Sequence, residues 1–462
     1  MARRQAASVS GKGLLIGLAA ASLGVIYGYD ISNIAGALLF VTDDFGLSTG
    51  QQELVTTAVV VGEIAGSLAG GVLANAIGRQ RTMVLVAAGY AAFALAGAVS
   101  VSVPMLLAAR LLLGVTIGVS VVVVPVFVAE STPARVRGSL LVAYQVATVV
   151  GIICGYLAAY LLAGLHAWRL MLGLAALPAV LTMLLLLRMP DTARWYAFKG
   201  RTEEARRVLQ RVEPDTDVDR ELAEIRSALR EESSGTVAEM LRPPYLRATA
   251  FVIVLGFFIQ ITGINAIVYY SPRLFAAMGF TGNFALLILP ALVQTAALVA
   301  VLVSLVLVDR LGRRPILLTG IAMMIAADVM LTGVFATGSG PMFGLVGVLM
   351  FTVGFTSGFG ALVWVFAGES FPTRLRSMGS SVMLTANHTA HAVVAAIFLT
   401  ILQTVGGATT FAGLASLALA AFAFVYRFAP ETKGRQLEEI RHFWENGGRW
   451  PDETPTGART CP

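Results

Sequence analysis

Long runs of apolar residues alternate with short polar segments along the chain. Each run holds about 20 residues, enough for a helix to cross the roughly 30 Å hydrocarbon core of a bilayer. The pattern predicts an all-α integral membrane protein with twelve transmembrane helices. We expect these spans near residues 14–40, 52–74, 82–100, 104–128, 138–162, 167–188, 248–275, 284–308, 315–337, 342–367, 378–403 and 408–428.

One long polar stretch divides the twelve spans into two sets of six. Its charged runs have helical composition, and Thr236 and Glu239 have the spacing of a capping box before a short helix. We expect small helices in this stretch, with a disordered linker as the alternative. The predicted organisation is an N-terminal six-helix bundle, a linker, a C-terminal six-helix bundle and a tail, over residues 1–188, 189–247, 248–428 and 429–462.

The junctions between spans are repeated in the two halves of the chain. Residues 130–138 contain Glu, Ser, Pro and two Arg, and the same residues recur at the same spacing in 369–377. Two shorter pairs of segments also match: 75–79 with 309–313, and 190–192 with 430–432. Two related halves of six spans are typical of a transporter with a cavity between two bundles.

Composition and charge agree with a membrane protein. Apolar residues make up 57% of the chain and charged residues 13%, against about 25% in soluble proteins. Apart from Arg110, Arg169 and Arg273, Lys and Arg fall in the N-terminus, the even-numbered loops or the tail, whereas the odd-numbered loops carry little charge beyond Asp43 and Asp44. This asymmetry puts both termini in the cytoplasm. The net charge of +6 therefore reflects topology in the cell membrane and indicates no nucleic-acid partner.

Several other classes of protein are not indicated. The first apolar run is too long for a cleavable signal. Cys154 and Cys461 do not form a disulfide framework. The chain has neither a phosphate-binding loop nor the spacing of a metal site, so we expect no cofactor, no metal and no enzymatic activity.

The junction motifs resemble the major facilitator superfamily, whose loop signature matches the Gly-Arg pairs after spans two and eight. The repeated Glu segments and residues 109–114, 168–171 and 430–434 are similar to the sugar porter branch, and 260–270 looks like its sugar motif on helix seven. That branch includes bacterial proton–xylose symporters and glucose facilitators. The resemblance covers about residues 24–440 and implies two pseudo-symmetric six-helix bundles that function as a monomer.

Asp30 lies deep in the first span and Arg110 lies inside the fourth. A carboxylate at the centre of a bilayer costs roughly 2.5–3.5 kcal/mol, so such a residue is usually functional and paired. The resemblance implies that Asp30 and Arg110 form the proton-linked pair of the symporters, whereas facilitators lack the acid. A static structural salt bridge is the alternative.

The resemblance also implies a sugar site and a gate. The family positions that contact sugar are Gln145, Gln260, Asn265, Trp364 and Asn387, and the gating tyrosine pair is Tyr269 and Tyr270. Amides and an aromatic face suit a ring of hydroxyls. The alternatives are hydrogen bonds between helices for the amides, and core packing or a lipid-facing position for the tryptophan.

The junction motifs imply a charge network that closes the cytoplasmic side between the bundles. Its members in this chain are Arg79, Glu130, Arg135, Asp309, Arg313, Glu369 and Arg374. Asn75 stands where the first-half motif normally has Asp. We therefore expect a weaker lock and a bias towards the inward-open state.

Three positions depart from the sugar porter pattern. Ile259 replaces the first of two glutamines, Ala297 replaces an asparagine, and His388 stands where the family usually has tryptophan. Each lost hydrogen bond is worth about 0.5–1.5 kcal/mol. We therefore expect a substrate with fewer or differently placed hydroxyls, such as a pentose, a deoxysugar or a polyol.

Glu63 is a second acid inside a span and lies outside the family pattern. It sits among Gly62, Gly66 and Gly70, whose four-residue spacing predicts a flat face for close helix packing. The glutamate could reach a cavity, carry a second proton or reach the membrane surface.

Asp328, in span nine, carries the same insertion cost as Glu63 and is another candidate titratable group. His388 and His391 could titrate near neutral pH, or could be buried and neutral.

The function that the sequence favours is proton-coupled import of a monosaccharide or related polyol by alternating access. Proton-driven export of a small organic molecule is the alternative. A passive facilitator is disfavoured by Asp30, and a transporter-like sugar sensor is disfavoured by the short tail.

Overall fold

The computed structural model describes residues 11–132, 134–212, 217–232, 236–338, 340–435 and 437–450. These residues form helices and no strand. Twelve helical segments among them are long and apolar enough to cross a membrane, as the sequence predicts. Their bounds are Ala21–Phe45, Thr49–Ile77, Arg79–Ala98, Val103–Ser131, Ala143–Ala163, Trp168–Leu186, Leu246–Tyr269, Phe284–Val308, Arg313–Thr337, Pro341–Gly360, Arg374–Thr404 and Gly407–Phe428.

The chain divides into two compact units, of which the first comprises residues 1–229 and 283–292. The segment 283–292 contributes a π-helical turn, Phe284–Ile288. The helices that begin in residues 1–229 are α1 (Gly11–Phe45), α2 (Thr49–Ile77), α3 (Arg79–Ala98), α4 (Val103–Ser131), α5 (Ala134–Ala163), α6 (Trp168–Leu174), α7 (Ala176–Leu186), α8 (Ala193–Phe198), α9 (Thr202–Val212) and α10 (Val218–Glu232).

The second unit comprises residues 230–282 and 293–462. A π-helical turn, Thr356–Gly360, interrupts its tenth span. Its helices are α11 (Val237–Met240), α12 (Leu246–Ile261), α13 (Ile264–Tyr269), α14 (Ser271–Ala277), most of α15 (Leu289–Leu311), α16 (Arg313–Thr337), α17 (Pro341–Phe355), α18 (Ala361–Glu369), α19 (Thr373–Thr404), α20 (Gly407–Phe428) and α21 (Leu437–Glu445).

The glycines of α2 bring this helix into backbone contact with α4. A Cβ atom built on Gly66 would lie 2.1 Å from the carbonyl oxygen of Val115, and one on Gly118 would lie 2.1 Å from that of Glu63. Neither site can take a side chain without a backbone shift. The predicted close-packing face is confirmed, and it fixes Glu63 against α4.

Glycines also bring α1 into backbone contact with α5. A Cβ atom on Gly28 would lie 1.8 Å from the carbonyl oxygen of Thr148, and one on Gly151 would lie 2.2 Å from that of Val25. Without a hydrophobic driving force in lipid, close backbone contact is a main source of helix association. This contact holds the segment around Asp30 inside the first unit.

The seventh span is a broken helix rather than the continuous one that hydrophobicity predicts. Gly263, between α12 and α13, has a φ of +98°, in the left-handed region that favours glycine. Thr262 Oγ1 donates to the Phe258 carbonyl at 3.1 Å, which satisfies one backbone group near the break. The break lies between Gln260 and Asn265, two residues of the predicted sugar motif.

The polar stretch between the halves contains four short helices among its described residues, α8, α9, α10 and α11. Thr236 Oγ1 accepts the N–H of Glu239 at 3.3 Å, which is one half of the predicted capping box. The Glu239 carboxylate accepts from Arg374 Nε at 3.1 Å instead of completing the box. Glu239 therefore ties α11 to the start of α19.

The glycine face predicts opposite effects for two neighbouring substitutions on α2. Gly66→Ala should lower stability by about 1–3 kcal/mol because the new methyl group overpacks the contact with α4. Gly71→Ala, at a site with nothing within 4 Å, should leave stability unchanged or raise it by about 0.5–1 kcal/mol. Thermal unfolding of both variants in detergent tests the packing, and equal melting temperatures would refute it.

Candidate functional site

A buried ion pair joins α1 to α4 in the first unit. Arg110 Nη1 lies 2.6 Å from Asp30 Oδ1, and the two residues are 2% and 3% exposed. The structure thus brings together the two residues that the sequence predicts as the proton-linked pair. Asp30 Oδ2 and the Nε and Nη2 groups of Arg110 make no hydrogen bond within the described part of the chain.

A single hydrogen bond joins Arg110 to Asp30, instead of the two parallel bonds that a guanidinium and a carboxylate can form. Removing two charges from water is costly, and a buried pair recovers that cost best when the remaining polar atoms are also satisfied. Protonation of Asp30 would cancel its negative charge and with it most of the attraction to Arg110. The proton occupancy of Asp30 and its distance from Arg110 are therefore coupled.

Uncharged polar side chains make hydrogen bonds on α1 close to Asp30 in the chain. The Tyr90 hydroxyl donates to the Ile26 carbonyl at 2.9 Å. The Met171 carbonyl accepts from Asn33 Nδ2 at 2.7 Å and from the Tyr29 hydroxyl at 3.1 Å. The sequence motifs did not include these side chains, although polar residues within apolar spans were a signal that could have found them.

The remaining predicted residues of the first unit lie on neighbouring helices. Glu63 is fully buried on α2. Gln145 is partly buried on α5. The side chain of Arg135, also on α5, lies outside the described part of the structure.

A polar group in the second unit contains three of the five predicted sugar contacts. Gln260 Nε2 lies 3.5 Å from Asn387 Oδ1, and Asn387 Nδ2 lies 3.5 Å from the Gly256 carbonyl. Asn265 Nδ2 lies 3.4 Å from His391 Nδ1. These contacts are at the long limit of hydrogen bonding, so the amides can exchange them for stronger partners at modest cost.

Aromatic rings lie directly beside these amides. Tyr269 stacks on His391 with ring centroids 5.6 Å apart, and the Tyr270 hydroxyl donates to the Ala395 carbonyl at 2.8 Å. Both tyrosines are buried, as is His388. The sequence singled out His388 as the unusual residue, but His391 is the histidine that contacts Asn265 and Tyr269.

Of three other predicted residues of the second unit, one lies apart from this group and two have side chains outside the described part of the structure. Asp328 is fully buried on α16, and its carboxylate oxygens accept no hydrogen bond from the described residues. Trp364 falls on α18 and Asp309 on α15, but their side chains are not among those described.

At the α2–α3 junction, Glu130 is the centre of a polar cluster. Its carboxylate lies 3.0 Å from Arg79 Nε and accepts from the Thr192 hydroxyl at 2.6 Å. The neighbouring Asp191 accepts the backbone N–H of Arg79 at 3.0 Å. Burial raises the pKa of Asp191 above its usual value, and the hydrogen bonds from backbone N–H groups oppose that shift.

The second unit has the equivalent arrangement at the start of α16. The Glu431 carboxylate accepts the backbone N–H groups of Arg313 and Arg314, both at 3.1 Å. Asp191 and Glu431 thus bind the N-terminal ends of α3 and α16, where free N–H groups and the helix dipole favour a negative charge. The repeated Pro-acid-Thr segments supply these acids, a role that the repeat alone did not reveal.

Two further residues of the predicted charge network, Glu369 and Arg374, also lie in the second unit. Arg374 pairs with Glu239, as described above. Burial raises the pKa of Glu369 above its usual value. The contacts described above for Arg79, Glu130, Arg313 and Arg374 all lie within single units.

Comparisons with known proteins give a consistent result. A family model described as "Sugar (and other) transporter" matches residues 16–444. The chain is 33% identical over 444 residues to the galactose-proton symporter of Escherichia coli K12, covering 95% of this chain and 96% of the relative. It is 32% identical over 435 residues to the arabinose-proton symporter of the same strain, covering 92% of each.

Solved structures give the same picture of the fold. An inward-open structure of the xylose transporter XylE from E. coli superposes with a TM-score of 0.81 at 24% identity, over 94% of this chain and 100% of that one. A partially occluded inward-open structure of XylE gives a TM-score of 0.81 at 23% identity, over 92% and 99%.

The buried ion pair predicts a double-mutant result. Arg110→Ala alone should lower stability by about 3–5 kcal/mol because Asp30 keeps a buried charge without its partner. Adding Asp30→Asn should recover most of that loss. Thermal unfolding of the two single variants and the double variant measures the coupling, and simple additivity would show that the two residues do not interact.

Proposed function

The chain belongs to the sugar transporter family and has the major facilitator fold, and we propose that it imports a monosaccharide or related polyol together with protons. The family is one of transporters rather than enzymes, and the chain is a multi-pass membrane protein. The relatives are named galactose-proton and arabinose-proton symporters, which supports both halves of the proposal.

The observation that carries the proton-coupling proposal is the buried Asp30–Arg110 pair. A passive facilitator has no use for a carboxylate whose burial is costly. A symporter needs a group whose proton occupancy depends on conformation, and this pair has the chemistry for it. Uptake of a proton by Asp30 frees Arg110 and permits the change of access, and release of the proton on the other side resets the pair.

Alternating access of the two bundles would expose the sugar site to each side in turn. We assign sugar binding to Gln145, Gln260, Asn265, Trp364 and Asn387, and gating to Tyr269 and Tyr270. In the second unit the support is the weak, exchangeable hydrogen bonding of the amides, which a hydroxylated ligand can replace.

We also propose an orientation of the chain in the membrane and a role for the charge network of the junction motifs. The protein lies in the cell membrane as a monomer, with both termini and the junction clusters in the cytoplasm, as the charge distribution favours. We assign the closing of the cytoplasmic side to seven residues of the junction motifs: Arg79, Glu130, Arg135, Asp309, Arg313, Glu369 and Arg374. Asn75 weakens that closure because it lacks the usual negative charge.

A second candidate function is proton-driven export of a small organic molecule. It is favoured by Ile259 and Ala297, which are 5% and 1% exposed and stand where sugar porters carry amides. An apolar group at both positions suits a substrate with fewer hydroxyls. The same substitutions are compatible with import of a pentose, a deoxysugar or a polyol.

Proton-driven accumulation is the main test of symport. Proteoliposomes with an inward proton gradient should concentrate one member of a panel of glucose, galactose, xylose, arabinose and inositol. Asp30→Asn should abolish accumulation because the proton site is lost. Uptake that only brings the sugar to equal concentrations on both sides, with or without a gradient, would indicate a facilitator. No uptake of any sugar in the panel would favour the exporter.

Ile259→Gln tests whether this position selects the substrate. Restoring an amide should improve uptake of the more hydroxylated sugars relative to the preferred one by about 2- to 13-fold, the equivalent of one hydrogen bond. Competition among the panel sugars gives the ranking, with Ile259→Leu as the apolar control. An unchanged ranking in Ile259→Gln would remove Ile259 from the specificity site.

A further inference from the structure

Glu63 is a fully buried carboxylate that the proposed cycle does not yet use. Its backbone packs against Gly118 of α4, so the residue lies on the face of α2 that meets the helix carrying Arg110. The position is fixed by glycines on both helices, which leave no room for α2 and α4 to slide or rotate freely.

Glu63 and Arg110 lie on helices whose backbones touch, and Arg110 pairs with Asp30 of α1. The titratable groups on the neighbouring helices are Tyr29 on α1, Tyr90 on α3, whose hydroxyl donates to the Ile26 carbonyl of α1, and Tyr144 on α5. We call Asp30, Glu63 and Arg110 the charge centre.

The charge centre holds two carboxyl groups and one guanidinium. If both carboxyl groups were ionised, a net negative charge would remain in an apolar interior, which is strongly unfavourable. The balanced states have a single proton on one carboxyl, while Arg110 neutralises the other. In the structure Arg110 pairs with Asp30, and the other balanced state would pair it with Glu63.

Arg110 has the donors that such an exchange requires. Only its Nη1 group contacts Asp30, whereas Nε and Nη2 are buried and make no hydrogen bond among the described residues. A guanidinium carries five N–H donors in a planar fork, so it can meet one carboxylate on each side.

We propose that Glu63 is a second proton-transfer residue of this transporter and takes over Arg110 when Asp30 is protonated. A proton from one side of the membrane binds Asp30 and breaks its attraction to Arg110. Arg110 turns to Glu63, whose carboxyl releases its own proton to the other side. Transfer of the proton from Asp30 to Glu63 then restores the starting pair, so one proton crosses per cycle.

This inference rests on the proposed symport, and its test separates the two. In proteoliposomes without membrane potential, the wild type should accumulate its sugar about tenfold for a gradient of one pH unit, which corresponds to one proton per sugar. Glu63→Gln should abolish accumulation but retain sugar exchange between the two sides, because the proton path is cut while the sugar site is intact. Glu63→Asp should restore accumulation, since the carboxyl is present.

The controls cover folding and helix packing. Ser67→Ala, on the same helix, removes only a hydrogen bond to the Ile64 carbonyl and should behave as the wild type. The melting temperature of each variant identifies misfolding. If Glu63→Gln misfolds, Glu63→Asp tests the inference instead, because it keeps a carboxyl group.

Three results would overturn the inference about Glu63. The first is accumulation by Glu63→Gln equal to that of the wild type, which would make the residue a permanently protonated packing group. The second is a wild-type accumulation of about 100-fold per pH unit, which would mean that two carboxyls carry protons independently. The third is a Glu63→Asp variant that folds and exchanges sugar yet does not accumulate it. A wild type that accumulates no sugar would instead reject the symport proposal itself.

Discussion

The constraint on which the functional account depends is the cost of a charge inside a bilayer-spanning bundle. Asp30 and Arg110 are tolerable in the first unit only because each neutralises the other at 2.6 Å. That mutual dependence makes the pair sensitive to one proton. A group that loses its partner on protonation is a natural element for coupling a proton gradient to a change of conformation.

The surrounding packing determines how that sensitivity can be used. The glycines bring the backbone of α1 into contact with that of α5, and the backbone of α2 into contact with that of α4. The second unit is organised differently. Its seventh span is broken at Gly263 and places weakly bonded amides beside the break. One unit thus holds a buried charge pair, and the other holds weakly bonded amides.

Much of this organisation could be predicted from the sequence for physical reasons. Twelve spans follow from hydrophobicity because a bilayer core demands continuous apolar length. The partnership of Asp30 and Arg110 was predictable because two isolated charges within spans have few other ways to be stable. The glycine face of α2 was equally predictable, since glycines at four-residue spacing line one side of a helix and let a second backbone approach it.

Other features depend on more than the hydrophobic pattern of the chain. The break at Gly263 lies within a run that is apolar overall, so hydrophobicity predicts one continuous span there. The capping of α3 by Asp191 and of α16 by Glu431 joins segments more than a hundred residues apart. Glu239 satisfies the local rule for a capping box, yet its carboxylate binds Arg374, because a charged partner outweighs a backbone N–H. His391 became recognisable only when the fold brought it to Asn265.

The most direct test of the central claim is the movement of protons driven by sugar alone. Proteoliposomes loaded with a pH-sensitive dye, with no initial pH gradient and the membrane potential clamped at zero, would receive the transported sugar on the outside. The account predicts that the lumen acidifies as sugar enters, and that Asp30→Asn exchanges sugar without acidification. Sugar entry into wild-type vesicles with no change in internal pH would contradict it.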